Sequence, residues 1–254
     1  MFTCVVRLFA FVILACCLPA LVAQEKKGVT APRQLPGGGV ADPAGKTGFF
    51  PNTSGGIDAL DLATGKLLWS SKDANRPLLA TADRLFAQKR ASLFVLDIAQ
   101  EGKTVREAKP IAFPGWVSVE TDYGRSYRGS TRLDGDTLLL SWEAGASYAG
   151  GARPTPEIEK RERKSASGVA RLDGKTGKLD ALDADEMAAG KFFPMPVGTI
   201  NPKVGALTLV LKDGSAKNPK NMFEKRRTLQ AVNVAKEVVW ERDIAAPVYL
   251  IPRP

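Results

Sequence analysis

Two Gly-Lys-Thr triplets, Gly45-Lys46-Thr47 and Gly174-Lys175-Thr176, invite a phosphate-binding reading, because such a triplet can close a glycine loop whose backbone amides cradle phosphate. In both, the earlier glycine (Gly39, Gly168) stands one residue too far back, and no helix pattern follows to aim amides at an anion. Ser126, within Gly124-Arg125-Ser126-Tyr127-Arg128-Gly129, misses the nucleophile-elbow spacing by one residue. Leu133-Asp134-Gly135-Asp136 has the start of a calcium loop without its alternating oxygens or distal Glu, and so predicts a hairpin turn. Asn52-Thr53-Ser54 is a formal glycosylation sequon.

The chain has no histidine, which removes the commonest general base and transition-metal ligand together. Its three cysteines, Cys4, Cys16 and Cys17, all lie in the first 17 residues. The sequence therefore predicts no catalytic residue, no cofactor-binding residue and no metal ligand, and a non-enzymatic protein.

A different mixture points to binding. Trp116, Tyr123, Tyr127, Trp142 and Tyr148 fall within 33 residues and are five of the eight Trp and Tyr residues in the chain, with Arg125, Arg128 and Arg132 among them. Aromatic rings give wide contact area and arginine gives planar donors for carboxylate or sulfate, so Trp116, Tyr123, Arg125, Tyr127, Arg128, Trp142 and Tyr148 are the candidate partner-binding residues. The alternative is packing, with Trp116 and Trp142 as ordinary core between sheets.

The chain's start and composition say where these residues must work. Arg7 precedes an apolar run ending in Leu21-Val22-Ala23, and polar Gln24-Glu25-Lys26-Lys27 follows. A charged start, apolar centre and small exit residue predict a secretory signal over 1–23, cut after Ala23. A retained anchor and a lipid-modified Cys16 are the alternatives. Each places the body outside the cytoplasm, periplasmic or extracellular, with no membrane span once the signal is cut. With 36 basic and 27 acidic residues the chain has a formal charge of +9, or +8 without Arg7. That charge favours an anionic glycan or an acidic protein surface, since an exported chain rarely meets nucleic acid.

Residues 24–37 are rich in Gly, Pro and Lys and predict a flexible linker. Beyond them short β-branched and aromatic runs dominate: 84–87, 93–96, 136–142, 206–211 and 238–240. Several are apolar on both faces, as in Leu207-Thr208-Leu209-Val210-Leu211, which suggests sheets packed between sheets. Helix punctuation is confined to Asp183 to Gly190 and, more weakly, Pro156 to Lys164.

One unit recurs. Asp58-Ala59-Leu60-Asp61-Leu62-Ala63-Thr64-Gly65-Lys66-Leu67-Leu68-Trp69 returns as Leu172-Asp173-Gly174-Lys175-Thr176-Gly177-Lys178-Leu179, with degenerate copies at Leu93 to Lys103 and Leu229 to Trp240. The Asp accepts backbone amides of a turn, the Gly supplies positive φ, and the flanks pair as a hairpin. The Trp after two copies is large enough to wedge between sheets. The unit resembles the PQQ-like (quinoprotein-type) β-propeller repeat, whose blades end in Ala-Leu-Asp-x-x-Thr-Gly-Lys-x-x-Trp. Ala181 and Arg106 stand where that pattern has Trp, and the fourth copy lacks Thr-Gly.

The resemblance implies an all-β fold, a propeller-like array of about four four-stranded antiparallel blades in a closed ring or open arc. The turn residues Asp61, Asp97, Asp173 and Asn233 are 36, 76 and 60 residues apart. They divide a single domain, 38–254, into blades at 38–72, 73–114, 115–188 and 189–247, with Val248-Tyr249-Leu250-Ile251 left to pair with the first blade. The longer intervals carry insertions, at 143–166 and 213–227. For function it implies a range from dehydrogenases to assembly scaffolds. Four blades are too few for the enzyme branch, and the adjacent Cys16-Cys17 lie in the signal rather than at a cofactor. The expectation is an exported binding or scaffold module for a protein or anionic glycan of the cell envelope or beyond, with homo-oligomer formation open. A quinoprotein dehydrogenase, or a remnant of one, is the alternative.

Overall fold

A computed structural model describes residues 32–107, 110, 111, 113, 127–145, 165–181, 202–213 and 227–245. Within them the chain is all β, in four antiparallel sheets whose strands follow one another in sequence. Sheet 1 holds β1 (Arg33–Leu35), β2 (Gly39–Ala41), β3 (Thr47–Pro51), β4 (Ile57–Asp61) and β5 (Leu67–Ser71), with a 3-10 turn at Pro36–Gly38. Sheet 2 holds β6 (Arg76–Ala80), β7 (Arg84–Lys89), β8 (Ser92–Asp97) and β9 (Lys103–Glu107). Sheet 3 holds β10 (Tyr127–Asp134), β11 (Thr137–Gly145), β12 (Ser165–Asp173) and β13 (Leu179–Ala181). Sheet 4 holds β14 (Lys203–Val204), β15 (Leu207–Asp213), β16 (Arg227–Val232) and β17 (Val238–Ile244).

Strand alternation decides which sheets meet. In β3, Phe49 packs with Ile57, Ala59 and Trp69 against Leu85, Ala87 and Phe94 of sheet 2. The next residue, Phe50, packs with Leu60 and Leu62 against Leu209, Leu229 and Trp240 of sheet 4. Sheet 1 is thus apolar on both faces because it lies between two neighbours, and each fully buried Phe or Leu contributes on the order of 1.5–3 kcal/mol. Sheet 2 is likewise two-faced: Phe86, Leu93 and Val95 meet Leu133, Leu138, Leu140 and Trp142 of sheet 3. The order in space is therefore 4-1-2-3, and none of these three clusters of the described residues draws on both sheet 3 and sheet 4. Among the described residues the array is an open arc whose two end sheets are neighbours in sequence.

Two expectations need correcting. The linker drawn over 24–37 ends earlier, because Arg33–Leu35 add a fifth strand to sheet 1, in register with Gly39–Ala41. Its Leu35 is buried against sheet 4, which is what holds the segment down. The run Leu207 to Leu211 is not packed on both faces: Leu209 is buried, whereas Val210 faces outward at the end of the arc. Its apolar alternation mimics that of a central sheet, and the sequence does not say that sheet 4 is terminal. The hairpin expected at Leu133 to Asp136 is present, joining β10 and β11 with Gly135 at φ 61°. The helix at 183–190, the charged loop at 156–164, the closing segment 248–251 and the signal at 1–23 lie outside the described residues, and none of the described helices is long and apolar enough to cross a membrane.

Candidate functional site

The repeat turns gather the most polar chemistry, and they spend it on themselves. Asp61 Oδ1 accepts the amides of Ala63 at 3.0 Å and Thr64 at 2.8 Å, and the Thr64 hydroxyl at 2.8 Å. The reversal closes through Asp61 N to Lys66 O and Gly65 N to Asp61 O, with Gly65 at φ 68°. Asp173 repeats the arrangement with Lys175 N at 2.8 Å and Thr176 N at 2.7 Å. These donors hold both carboxyls below the usual carboxylate range, through the Thr64 hydroxyl and amide at Asp61 and the Thr176 and Lys175 amides at Asp173. At Asp97 partial burial pushes the carboxyl up, but the Gln100 amide and the Arg84 guanidinium more than offset it and the net direction is again down. Carboxyls so depressed stay ionised at neutral pH and shape turns rather than donate protons. In the fourth copy Asn233 takes the role, accepting Glu237 N at 2.9 Å, with Lys236 at φ 64° where the others have glycine.

The turns of sheets 1, 2 and 3 also each receive a side chain from the preceding sheet in the arc. Trp240 of sheet 4 lies over Gly65, where an added Cβ would come within 2.6 Å of the indole, and its Nε1 donates to Leu62 O at 3.1 Å. Arg242 Nε donates to Gly65 O at 3.0 Å. Trp69 of sheet 1 lies over Gly102 of sheet 2 in the same way, and Arg106 of sheet 2 over Gly177 of sheet 3. In each donor sheet the register slips just before the covering residue, between Ala231 and Val232, Ala59 and Leu60, and Val95 and Leu96. A bulge of this kind turns the strand so that its next side chain points over the neighbouring sheet. The tryptophans therefore wedge between sheets, as their size suggested.

The tempting motifs resolve into similar turns. Asp42 Oδ1 accepts Lys46 N at 2.7 Å and Thr47 N at 3.2 Å, so the amides of the first Gly-Lys-Thr triplet already hold an anion of their own chain. The second triplet is the third repeat turn. Asp136 pairs with Lys175 at 2.7 Å and raises that lysine's pKa. The Asn52 side chain donates to Asp58 at 2.7 Å and accepts Ser54 N and Gly56 N, which commits the sequon's amide to a hairpin.

The aromatic and arginine set is divided. Trp142 is 7% exposed, stacks edge-on against Phe113 at 5.0 Å, and lies over Gly168 in the core between sheets 2 and 3, as the packing alternative has it. Tyr127 and Arg128 open β10, their backbones opposite Ala144 and Glu143. Trp116, Tyr123, Arg125 and Tyr148 lie outside the described residues. Arg132 stands in the row Arg132, Leu139, Arg171 across β10, β11 and β12, on the face of sheet 3 opposite Trp142. Arg171 was missed by sequence reasoning, because only the register brings it beside Arg132.

Several exposed apolar side chains have no sequence signal at all. Leu67, Leu68, Val234, Val238 and Val239 are between 41% and 93% exposed. Leu67 and Leu68 lie at the β5 bulge before Trp69, Val238 and Val239 at the β17 bulge before Trp240, and Val234 in the turn before β17.

No family model and no curated protein matches the chain. Solved structures do. BamB from Moraxella catarrhalis is 18% identical, with 82% of this chain and 64% of that one aligned and a TM-score of 0.34. A europium-containing methanol dehydrogenase is 16% identical, over 87% of this chain and 44% of that one, with a TM-score of 0.36. The WD40 domain of SCAP from fission yeast is 10% identical, over 85% and 53%, with a TM-score of 0.25. The chain spans less than two thirds of the length of each.

Proposed function

We propose that this chain is an exported, non-enzymatic binding or scaffold module, whose partner is a protein or an anionic glycan of the cell envelope or beyond. The observation that carries the reading is the internal satisfaction of the repeat turns. The carboxylates and amide nests that could hold a phosphate or a cation are bonded to one another at 2.7–3.2 Å. What such an array offers a partner is its surface, and the chain's positive charge favours an anionic one.

The binding residues are sought around β10 and the segment before it. Replacing Tyr123, Arg125, Tyr127 and Arg128 by alanine is expected to abolish capture of a partner from the cell envelope while leaving the Tm nearly unchanged. Unchanged capture places the site elsewhere, and a large loss of Tm makes these residues core. An absorbance titration with PQQ and calcium tests the reading from the other side: tight stoichiometric uptake would replace it with a quinoprotein enzyme.

A further inference from the structure

A small cavity lies between β1 and β14, the edge strands that open sheets 1 and 4. Its volume is about 80 Å³. Leu35, Ala41 and Val204 give it an apolar floor, Arg33 and Lys203 bring one cation from each sheet, and no acidic residue lines it. One of those cations is held in place by the turn beneath it. Arg33 Nη1 donates to Pro43 O at 2.7 Å, and Gly45 makes room for the guanidinium, since a Cβ there would lie 3.0 Å from Nη1 and 3.6 Å from Nη2. The turn itself is fixed by Asp42, whose Oδ1 accepts Lys46 N and Thr47 N, with Gly45 at φ 69°. That carboxylate is the nearest acid in sequence, and it is spent on the turn rather than on the cavity.

The bond to Pro43 uses one N–H of Arg33, and the planar fork so anchored is suited to an oxyanion. Lys203 adds a second positive charge to the same wall. Cations above an apolar floor select an anion carried on a short apolar stem. The cavity has the liquid volume of about two to three waters at roughly 30 Å³ each, enough for a carboxylate and its methylenes and too little for a sugar ring. In an acidic glycan the carboxylate is bonded to the ring itself and has no stem with which to reach in, whereas glutamate carries its carboxylate on two methylenes. We infer that this cavity is a docking point for a glutamate side chain of a protein partner, with the carboxylate on Arg33 and the methylenes on Leu35, Ala41 and Val204. The inference rests on the binding-module reading for the existence of a partner, and it adds a site in different sheets from β10.

Titration of the isotope-labelled full chain with N-acetylglutamate amide tests this, read from the backbone amide signals of Gly45, Val204 and Gly205. The expected result is saturable shifts with a Kd of about 1–10 mM, as suits a single charge-assisted contact. N-acetylglutamine amide, which has the same shape without the charge, produces none. Arg33→Gln weakens the capped glutamate at least about tenfold without lowering the Tm, because Arg33 is exposed. Lys103→Gln, which removes the same charge from β9, leaves the Kd unchanged. No saturable shift up to about 100 mM, equal shifts with the capped glutamine, or a Kd indifferent to Arg33→Gln overturns the inference. Glucuronate bound as tightly as the capped glutamate would move the site to a glycan, and sulfate competing equally well would reduce it to a general anion site; either result overturns the assignment to a side chain. Capture from the cell envelope by the variants around β10 is a separate readout, so failure of that reading and failure of this one are distinguishable.

Discussion

Among the described residues sheet 4 meets sheet 1 and does not meet sheet 3, although the sequence connects it to sheet 3. At the joint with sheet 1, a bulge, a tryptophan and a glycine act together: β17 slips in register, Trp240 swings over, and Gly65 leaves room for the ring. At the outer edge of sheet 3 all three are missing. Pairing of β12 with β13 runs without a slip from Leu172 opposite Leu179 to Ala170 opposite Ala181, so the covering residue is an alanine on a straight strand. The turn it would cover carries Lys236 at φ 64° in place of glycine. The comparison shows that, among the described residues, bulge, large side chain and empty glycine position occur together at each joint and are absent together where none forms.

The largest effect should come from removing a covering side chain. Trp240→Ala and Trp69→Ala, both at joints the bulges create, are each expected to cost about 3–5 kcal/mol in urea unfolding. An effect under about 1 kcal/mol would mean that the joint is held by the strand cores alone.

Next come the glycines beneath. Gly102→Ala puts a methyl into the Trp69 ring at a φ of 76° and should cost about 2–3 kcal/mol. Gly177→Ala meets the Arg106 Cβ at 3.0 Å, a contact that a shift of a few tenths of an ångström relieves, and should cost about 1 kcal/mol, mostly for its φ of 70°. Equal costs at the two positions would erase the distinction between the close ring over Gly102 and the looser cover over Gly177.

Acid should loosen the turns in sheets 1 and 3 and spare that of sheet 4. Asp61 and Asp173 have folded pKa values below their unfolded ones, so their contribution is present above about pH 4 and is lost as pH falls through that region. Asn233 has no such dependence. Urea midpoints at pH 7 and pH 3 in the wild type and in Asp61→Asn with Asp173→Asn should show the pH dependence reduced in the variant.

The smallest effect concerns the missing joint itself. Lys236→Gly should gain at most about 1 kcal/mol by relieving the positive φ. Adding Ala181→Trp to it should show no coupling in a double-mutant cycle, because β13 has no bulge to aim the ring. A coupling above about 1 kcal/mol would show that the arc closes once side chain and glycine are supplied.

What could be read from the sequence was local. Asp-x-x-Thr-Gly-Lys specifies a turn by hydrogen bonds spanning three residues, so the turns, their flanking strands and the four-sheet division were legible from Asp61, Asp97, Asp173 and Asn233. The order 4-1-2-3 was not, because Phe49 and Phe50 look alike in sequence and only register sends one to sheet 2 and the other to sheet 4. For the same reason the sequence leaves Trp142 open to both readings, candidate binding residue or core, and the register places it in the core between sheets 2 and 3. Arg33–Leu35 carry no strand signal beyond one leucine, and the bulges that expose Leu68 and Val239 leave no mark in composition.

The joint between sheets 4 and 1 also dictates a timetable. Leu62 and Gly65 wait for Trp240 and Arg242, which are 178 and 177 residues further along the chain. At ordinary elongation rates of about 5–20 residues per second, the ribosome needs roughly 10–35 s to make the cover for the first sheet. Through that interval Phe50, Leu60 and Leu62 form an unsatisfied apolar face on a nascent chain, while sheets 2 and 3 can already fold against the other side. Translation stalled before residue 227 should therefore leave an intermediate that binds a hydrophobic dye or a holdase, and release should abolish that binding only once β16 and β17 have emerged.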